Sequence, residues 1–103
     1  MAKVYLLSVY EEHGSYNVVA TMDKEKVYGI ANSDRFLGAH QPLPRESCRL
    51  TDEAYAAYKS KTIDSVNKAN HRLSELLVTD APVDGVDLMG GWGGVQLHIV
   101  ELQ

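Results

Sequence analysis

A chain of 103 residues, 45% hydrophobic and 23% charged, has the proportions of one soluble globular domain spanning residues 1 to 103, large enough to bury about 65% of its unfolded surface without a metal or disulfide framework. Its formal net charge of −4 argues against nucleic acid as a partner. No run approaches the ~18 apolar residues of a membrane span, and the lone Cys48 excludes an internal disulfide.

A reducing cytoplasm is the expected compartment, since the N-terminus has one Lys and then a strand-like pattern in place of a signal-peptide layout. The charge is uneven. Residues 73 to 103 hold five acids (Glu75, Asp80, Asp84, Asp87, Glu101) and no Lys or Arg, whereas residues 1 to 72 hold ten bases and nine acids. The acidic third is either a solvated face that promotes solubility or a surface for a basic partner.

From Lys3 to Tyr10 the chain reads as a strand, with Val4, Leu6, Ser8 and Tyr10 on one face and Tyr5, Leu7 and Val9 on the other. Apolar residues on both faces predict a central strand buried on both sides. A polar turn, Glu11 to Ser15, leads into a second strand, Tyr16 to Met22, with Tyr10 and Tyr16 expected to pair across it.

Asp23 is a good N-cap for a short helix whose apolar side is Val27, Tyr28, Ile30 and Ala31, ending at Asn32 and Ser33. Residues 32 to 50 form the least regular segment, in which Pro42 and Pro44 forbid regular helix. A loop this long is usually functional or disordered. Phe36, Leu37 and Leu43 predict that it is pinned to the body.

Thr51 to Val78 lies within the longest run without Gly or Pro, and it carries a helical apolar stripe: Tyr55, Thr62, Val66, Ala69, Leu73 and Leu77, flanked by Tyr58, Ile63 and Leu76. Thr51 is its expected N-cap, with Asp52 and Glu53 in the first turn, where the helix dipole favours negative charge. At 1.5 Å per residue, such a helix spans roughly 40 Å and must kink, fray or overhang. The small middle of its stripe (Thr62, Ile63, Val66, Ala69) would admit the protein's own sheet or a second subunit at close range.

After Pro82, Gly85 to Met89 and Val95 to Leu102 read as two strands joined by Gly90, Gly91, Trp92, Gly93 and Gly94. The expected fold is therefore α+β: an antiparallel sheet of three to five strands under one long helix, with one short helix nearby, in the order ββααββ. Its sheet core is expected at Val4, Leu6, Leu7, Val9, Val18, Ala20, Leu97, Ile99 and Val100.

Phosphate-loop, zinc-protease, paired-cysteine, nucleophile-elbow and EF-hand patterns are missing. No catalytic residue, metal ligand or cofactor is therefore assigned. The Gly90–Gly94 turn is the most unusual local feature. Its glycines free the backbone to approach a ligand, and the Trp92 indole can stack on a ring or anchor a protein partner. Against this, no Lys, Arg, Ser or Thr within the turn completes an anion site, and a hairpin tip whose Trp folds onto the core explains the pattern equally.

Arg35, Arg45 and Arg49, with His40 and Gln41, could take a phosphate or a carboxylate surface, though scattered loop arginines are commonly just solvated. His40 and Cys48 could form a base and nucleophile, but nothing nearby in sequence activates the thiol or orients the imidazole. His13, His71 and His98 lack metal-ligand spacing.

The opening KVYLLSVYEE followed by YNVVATMDKEKV resembles the start of small ββα proteins of phages and bacteria, with a strand, an acidic turn, a second strand and an Asp-capped helix. The resemblance spans about the first 31 residues and carries over no functional residue. In size and layout the chain is also similar to phage accessory proteins that block host defence factors, which implies a host protein as partner. The expected function is a non-catalytic binding or inhibitor protein acting by protein–protein contact. The alternative is a homodimer or larger oligomer that sequesters a nucleotide or similar anion between the Gly-rich turn and the arginine loop.

Overall fold

A computed structural model describes residues 2–11, 14–90 and 93–102. Strands β1 (Lys3–Glu11) and β2 (Gly14–Thr21) precede a short helix, α1, in which a 3-10 turn at Lys24–Lys26 runs into Val27–Ala31. Two further 3-10 turns, Leu37–His40 and Arg45–Ser47, interrupt the connector to α2 (Asp52–Thr79). Strands β3 (Val83–Met89) and β4 (Gly94–Glu101) close the chain.

The order ββααββ and the α+β class are thus as expected. The four strands form one antiparallel sheet in the order β2-β1-β4-β3, so the two chain ends supply its two middle strands.

The caps explain the helix boundaries. Asp23 accepts from the Glu25 N–H at 3.0 Å, and Thr51 accepts from the Ala54 N–H at 3.1 Å. Inside α2 the Thr62 and Ser65 hydroxyls donate to carbonyls one turn back, which satisfies them locally. At the other end Asp80 adopts a left-handed conformation (φ 55°) and its N–H returns to Leu76 O at 2.8 Å. Asp is one of the few residues other than Gly that tolerates this conformation. The helix stops here, two residues before Pro82.

One layer of core lies between the sheet and the helices. Tyr5, Leu7 and Val9 of β1 and Val95, Leu97 and Ile99 of β4 face Val66, Ala69, Leu73 and Leu77 of α2 and Val27 and Ala31 of α1. Each fully buried Leu, Ile or Val contributes about 1.5–3 kcal/mol relative to exposure.

Five of the nine expected core residues need correction. Val18, Ala20 and Val100 are exposed, and Val4 and Leu6 are only partly buried. Their strands are correct, and β1 is central, but both helices lie on one side, and no described element covers the other face of the sheet. Val18, Ala20 and Val100 on that face are therefore left exposed, however apolar they are. The molecule measures 55 × 29 × 17 Å, and its thinnest dimension fits two layers.

Register and loop details also differ. Tyr10 pairs with Ser15, and Tyr16 with Val9, because the β1–β2 register shifts between Leu7 and Val9. This bulge displaces the expected Tyr10–Tyr16 pairing. In the connector, Phe36 and Leu37 are buried as expected, but Leu43 is 55% exposed. Leu43 binds through its backbone instead: its N–H donates to the Tyr58 hydroxyl and its carbonyl accepts from the Tyr55 hydroxyl.

Candidate functional site

Two of the residues singled out in the sequence, His40 and Gly93, meet at the end of the sheet where β1 finishes and β4 begins. Phe36 and Leu37, 1% and 0% exposed, anchor the connector in the core. Gly38 then lies so close to the preceding turn that a Cβ would meet Ser33 O at 2.6 Å, while its N–H donates to that same oxygen. Only Gly fits there.

This turn aims His40 at the glycine-rich hairpin, where its Nε2 lies 2.7 Å from Gly93 O. A carbonyl only accepts, so Nε2 carries the hydrogen. The connector and the β3–β4 turn are therefore joined within one chain. Gly38 is the residue that sequence reasoning missed. The signal available was a Gly directly after two apolar anchors.

The expected site residues fall into different situations. Gly93 has φ 69°, and its N–H donates to Tyr10 O at 3.0 Å, so that amide is not free to cradle an anion. Gly94 is buried opposite Tyr10, and Gly90 faces open space. Gly91 and Trp92 lie outside the described residues.

Arg45 turns back onto its own segment. Its guanidinium donates to Cys48 O at 3.1 Å and Leu50 O at 2.7 Å, meets Asp52 Oδ1 at 2.9 Å, and stacks 5.4 Å from the centre of the Tyr55 ring. It serves as a brace for the entry to α2. Arg35 and Arg49 are exposed, and Cys48 is half-buried.

Beyond this joint lies an overhang. From Gly38 through Ser65 no residue is buried. The stretch is nonetheless held to itself. The Tyr55 hydroxyl donates to Leu43 O at 2.7 Å, the Tyr58 hydroxyl accepts from Leu43 N–H at 3.0 Å, and the two rings tilt against each other at 5.9 Å. Leu43, Leu50 and Ile63, 55%, 40% and 38% exposed, are its outward apolar groups. An open dip along α2 is lined by Ala56, Ser60, Ile63 and Asn67.

At the opposite end of the sheet a tyrosine and a carboxylate are both shifted from their ordinary pKa. The Tyr5 hydroxyl donates to Asp80 Oδ1 at 2.8 Å, and Lys3 and Lys24 approach Oδ2 at 3.3 and 3.7 Å. Lys3 also donates to the Asp80 carbonyl. The Tyr5 hydrogen bond, helped by the two lysines, holds the Asp80 carboxyl below its ordinary range against some desolvation. Burial, then the carboxylate itself, pushes the Tyr5 hydroxyl up. Perturbed groups often mark active sites. Here the cluster closes the C-terminus of α2 onto the first residues of β1, a structural clasp.

Among the described residues no group of three or more His, Cys, Asp or Glu could hold a metal ion, and no helix is long and apolar enough to cross a membrane. His71 is exposed and pairs with Glu75, one turn along α2, at 2.7 Å. His98 lies against Gly85 with Nδ1 3.6 Å from Asp84. No family model matches the chain, and neither a curated protein nor a solved structure is similar to it.

Proposed function

We propose that this chain is a non-catalytic binding protein that engages another protein through its overhanging end, residues 38 to 65. The observation that carries this is the 28-residue stretch without a buried residue, kept in a defined shape by the Arg45 brace and the Tyr55 and Tyr58 hydroxyls. A segment that contributes nothing to the core but is still held in place presents a preformed surface. Binding to such a surface loses less conformational entropy than binding to a floppy loop. Its exposed Leu43, Leu50 and Ile63 supply apolar contact. Inhibition of a host factor, as a phage-encoded accessory protein would perform it, is the narrower form of this reading.

Affinity capture from a lysate of the organism in which the protein acts tests it. A stoichiometric partner should be retained by the wild type and lost on the double substitution Leu43→Asp, Leu50→Asp, with the melting temperature unchanged. Retention of that partner by the double variant, or no stoichiometric partner at all, removes the proposal.

The second reading is a nucleotide- or anion-sequestering oligomer. The His40–Gly93 contact favours it, because it joins the two loops that such a site would use. The engagement of Arg45 and of the Gly93 amide weighs against it. It requires a rise in melting temperature with a mono- or cyclic nucleotide, so a flat screen disposes of it.

A further inference from the structure

We infer that the open face of the sheet is a docking surface for a second copy of this chain, packed sheet against sheet. This does not rest on the overhanging end. The face comprises Val4, Leu6, Ser8 and Tyr10 of β1, Val18 and Ala20 of β2, Gln96, His98 and Val100 of β4, and Asp87 at the β3 margin, as the register dictates. Tyr10, Val18 and Val100 are 48%, 59% and 40% exposed, so the apolar groups here stand in water. Contiguous apolar surface of this kind marks an interaction site.

Charge and flatness point to the occupant. The two middle strands present no Lys, Arg, Asp or Glu on this face, in a chain of net charge −4. A strongly charged partner finds nothing there to pair with, whereas an identical neutral face does not repel. Among the described residues the acids at this face are Asp84 and Asp87, both on β3. Asp87 accepts from the Gln96 amide at 3.0 Å, and Asp84 lies beside His98.

A two-fold axis parallel to the strands lays β1 of one copy over β4 of the other, and β2 over β3. The acidic margins then fall on opposite edges and never face each other, as a closed isologous interface requires. A β-carbon at Gly85 would meet the His98 ring at 3.1 Å. The ring therefore lies low across the strand, and the face stays flat enough for sheet-on-sheet packing. At its centre Ser8 is 1% exposed and its Oγ has no hydrogen-bond partner among the described residues, so docking there breaks no hydrogen bond within the chain.

Four strands ~4.8 Å apart and eight residues at ~3.3 Å give a face of roughly 500 Å² in projection. Two such faces bury on the order of 1,000 Å², the lower bound for a specific interface. A weak dimer, with a Kd on the order of micromolar, is the expected result.

Sedimentation equilibrium of the full chain across a concentration series should show the mass rising toward twice that of one chain. Val18→Lys and Val100→Lys should each weaken association at least tenfold, with an unchanged far-ultraviolet circular dichroism spectrum. Val78→Lys, at the 83% exposed end of α2 and outside the sheet face, should associate like the wild type. A chain that stays monomeric at every concentration overturns the inference. So does a dimer that tolerates both sheet substitutions, or one that Val78→Lys dissociates.

Discussion

Between Val66 and Leu77 helix α2 buries four side chains, and between Asp52 and Ser65 it buries none. The two halves nonetheless form one uninterrupted helix. The inner half is stabilised by burial: Val66, Ala69, Leu73 and Leu77 share a core with Leu97 and Ile99. The outer half is held by local terms. These are the Thr51 cap, two acids in the first turn, the Asp64–Lys68 pair at 3.1 Å and the tyrosine contacts to Leu43. Starting a helix is the unfavourable step and extending it is cheap, so the packed half supplies the nucleus and the outer half propagates from it. A helix can therefore outrun its own core by several turns, and what projects is free to act as a surface.

Substitutions along this one element measure the contrast. Leu73 is 0% exposed beneath the sheet, and Leu73→Ala should cost about 2–5 kcal/mol in chemical denaturation. A loss below ~1 kcal/mol would mean that burial is not what stabilises the inner half. Next comes the clasp that ends this half. The Asp80 carboxyl titrates below its unfolded value, so its stabilisation is full above the usual carboxylate range and is lost as pH falls through the folded pKa. Asp80→Asn, which also tolerates the left-handed conformation, should flatten the acid limb of the pH–stability curve. An unchanged limb in the variant would show the clasp to be inert.

In the outer half, Tyr55→Phe deletes a hydrogen bond worth about 0.5–1.5 kcal/mol. Amide exchange should quicken over residues 43 to 58 and stay constant over 66 to 77. Uniform acceleration along α2 would mean that the halves unfold together. The smallest effect belongs to Ile63→Ala. This residue is 38% exposed, and the change should stay within about 0.5 kcal/mol. A core-sized loss there would erase the distinction between the halves.

The long helix and its cap, the four strands and the short helix were legible in the sequence because each follows from local periodicity, capping chemistry and the absence of breakers. The inner stripe was legible too, since Val66, Ala69, Leu73 and Leu77 are apolar at helical spacing. Ile63 carries the same signal and lies outside the core, because periodicity marks a face and not how far the sheet beneath it extends. The same limit misplaced Val18, Ala20 and Val100. Of the candidate site, the connector and the glycine turn were recognisable as unusual segments, but their contact was not. It depends on Gly38 fitting against Ser33 and on His40 then reaching Gly93, a pairing 53 residues apart. Arg45 read as a free cation, and its neighbours Leu50 and Asp52 engage it.

The sequence by itself determined the elements, their order and the ends of the helices, because turns, caps and spacing act over a few residues. Only the tertiary structure decided which face of the sheet is covered, where α2 leaves its support, and that the connector meets the hairpin. Those outcomes depend on how many layers the chain can stack. With one long helix and one short, it covers one side of four strands, and no described element covers the other.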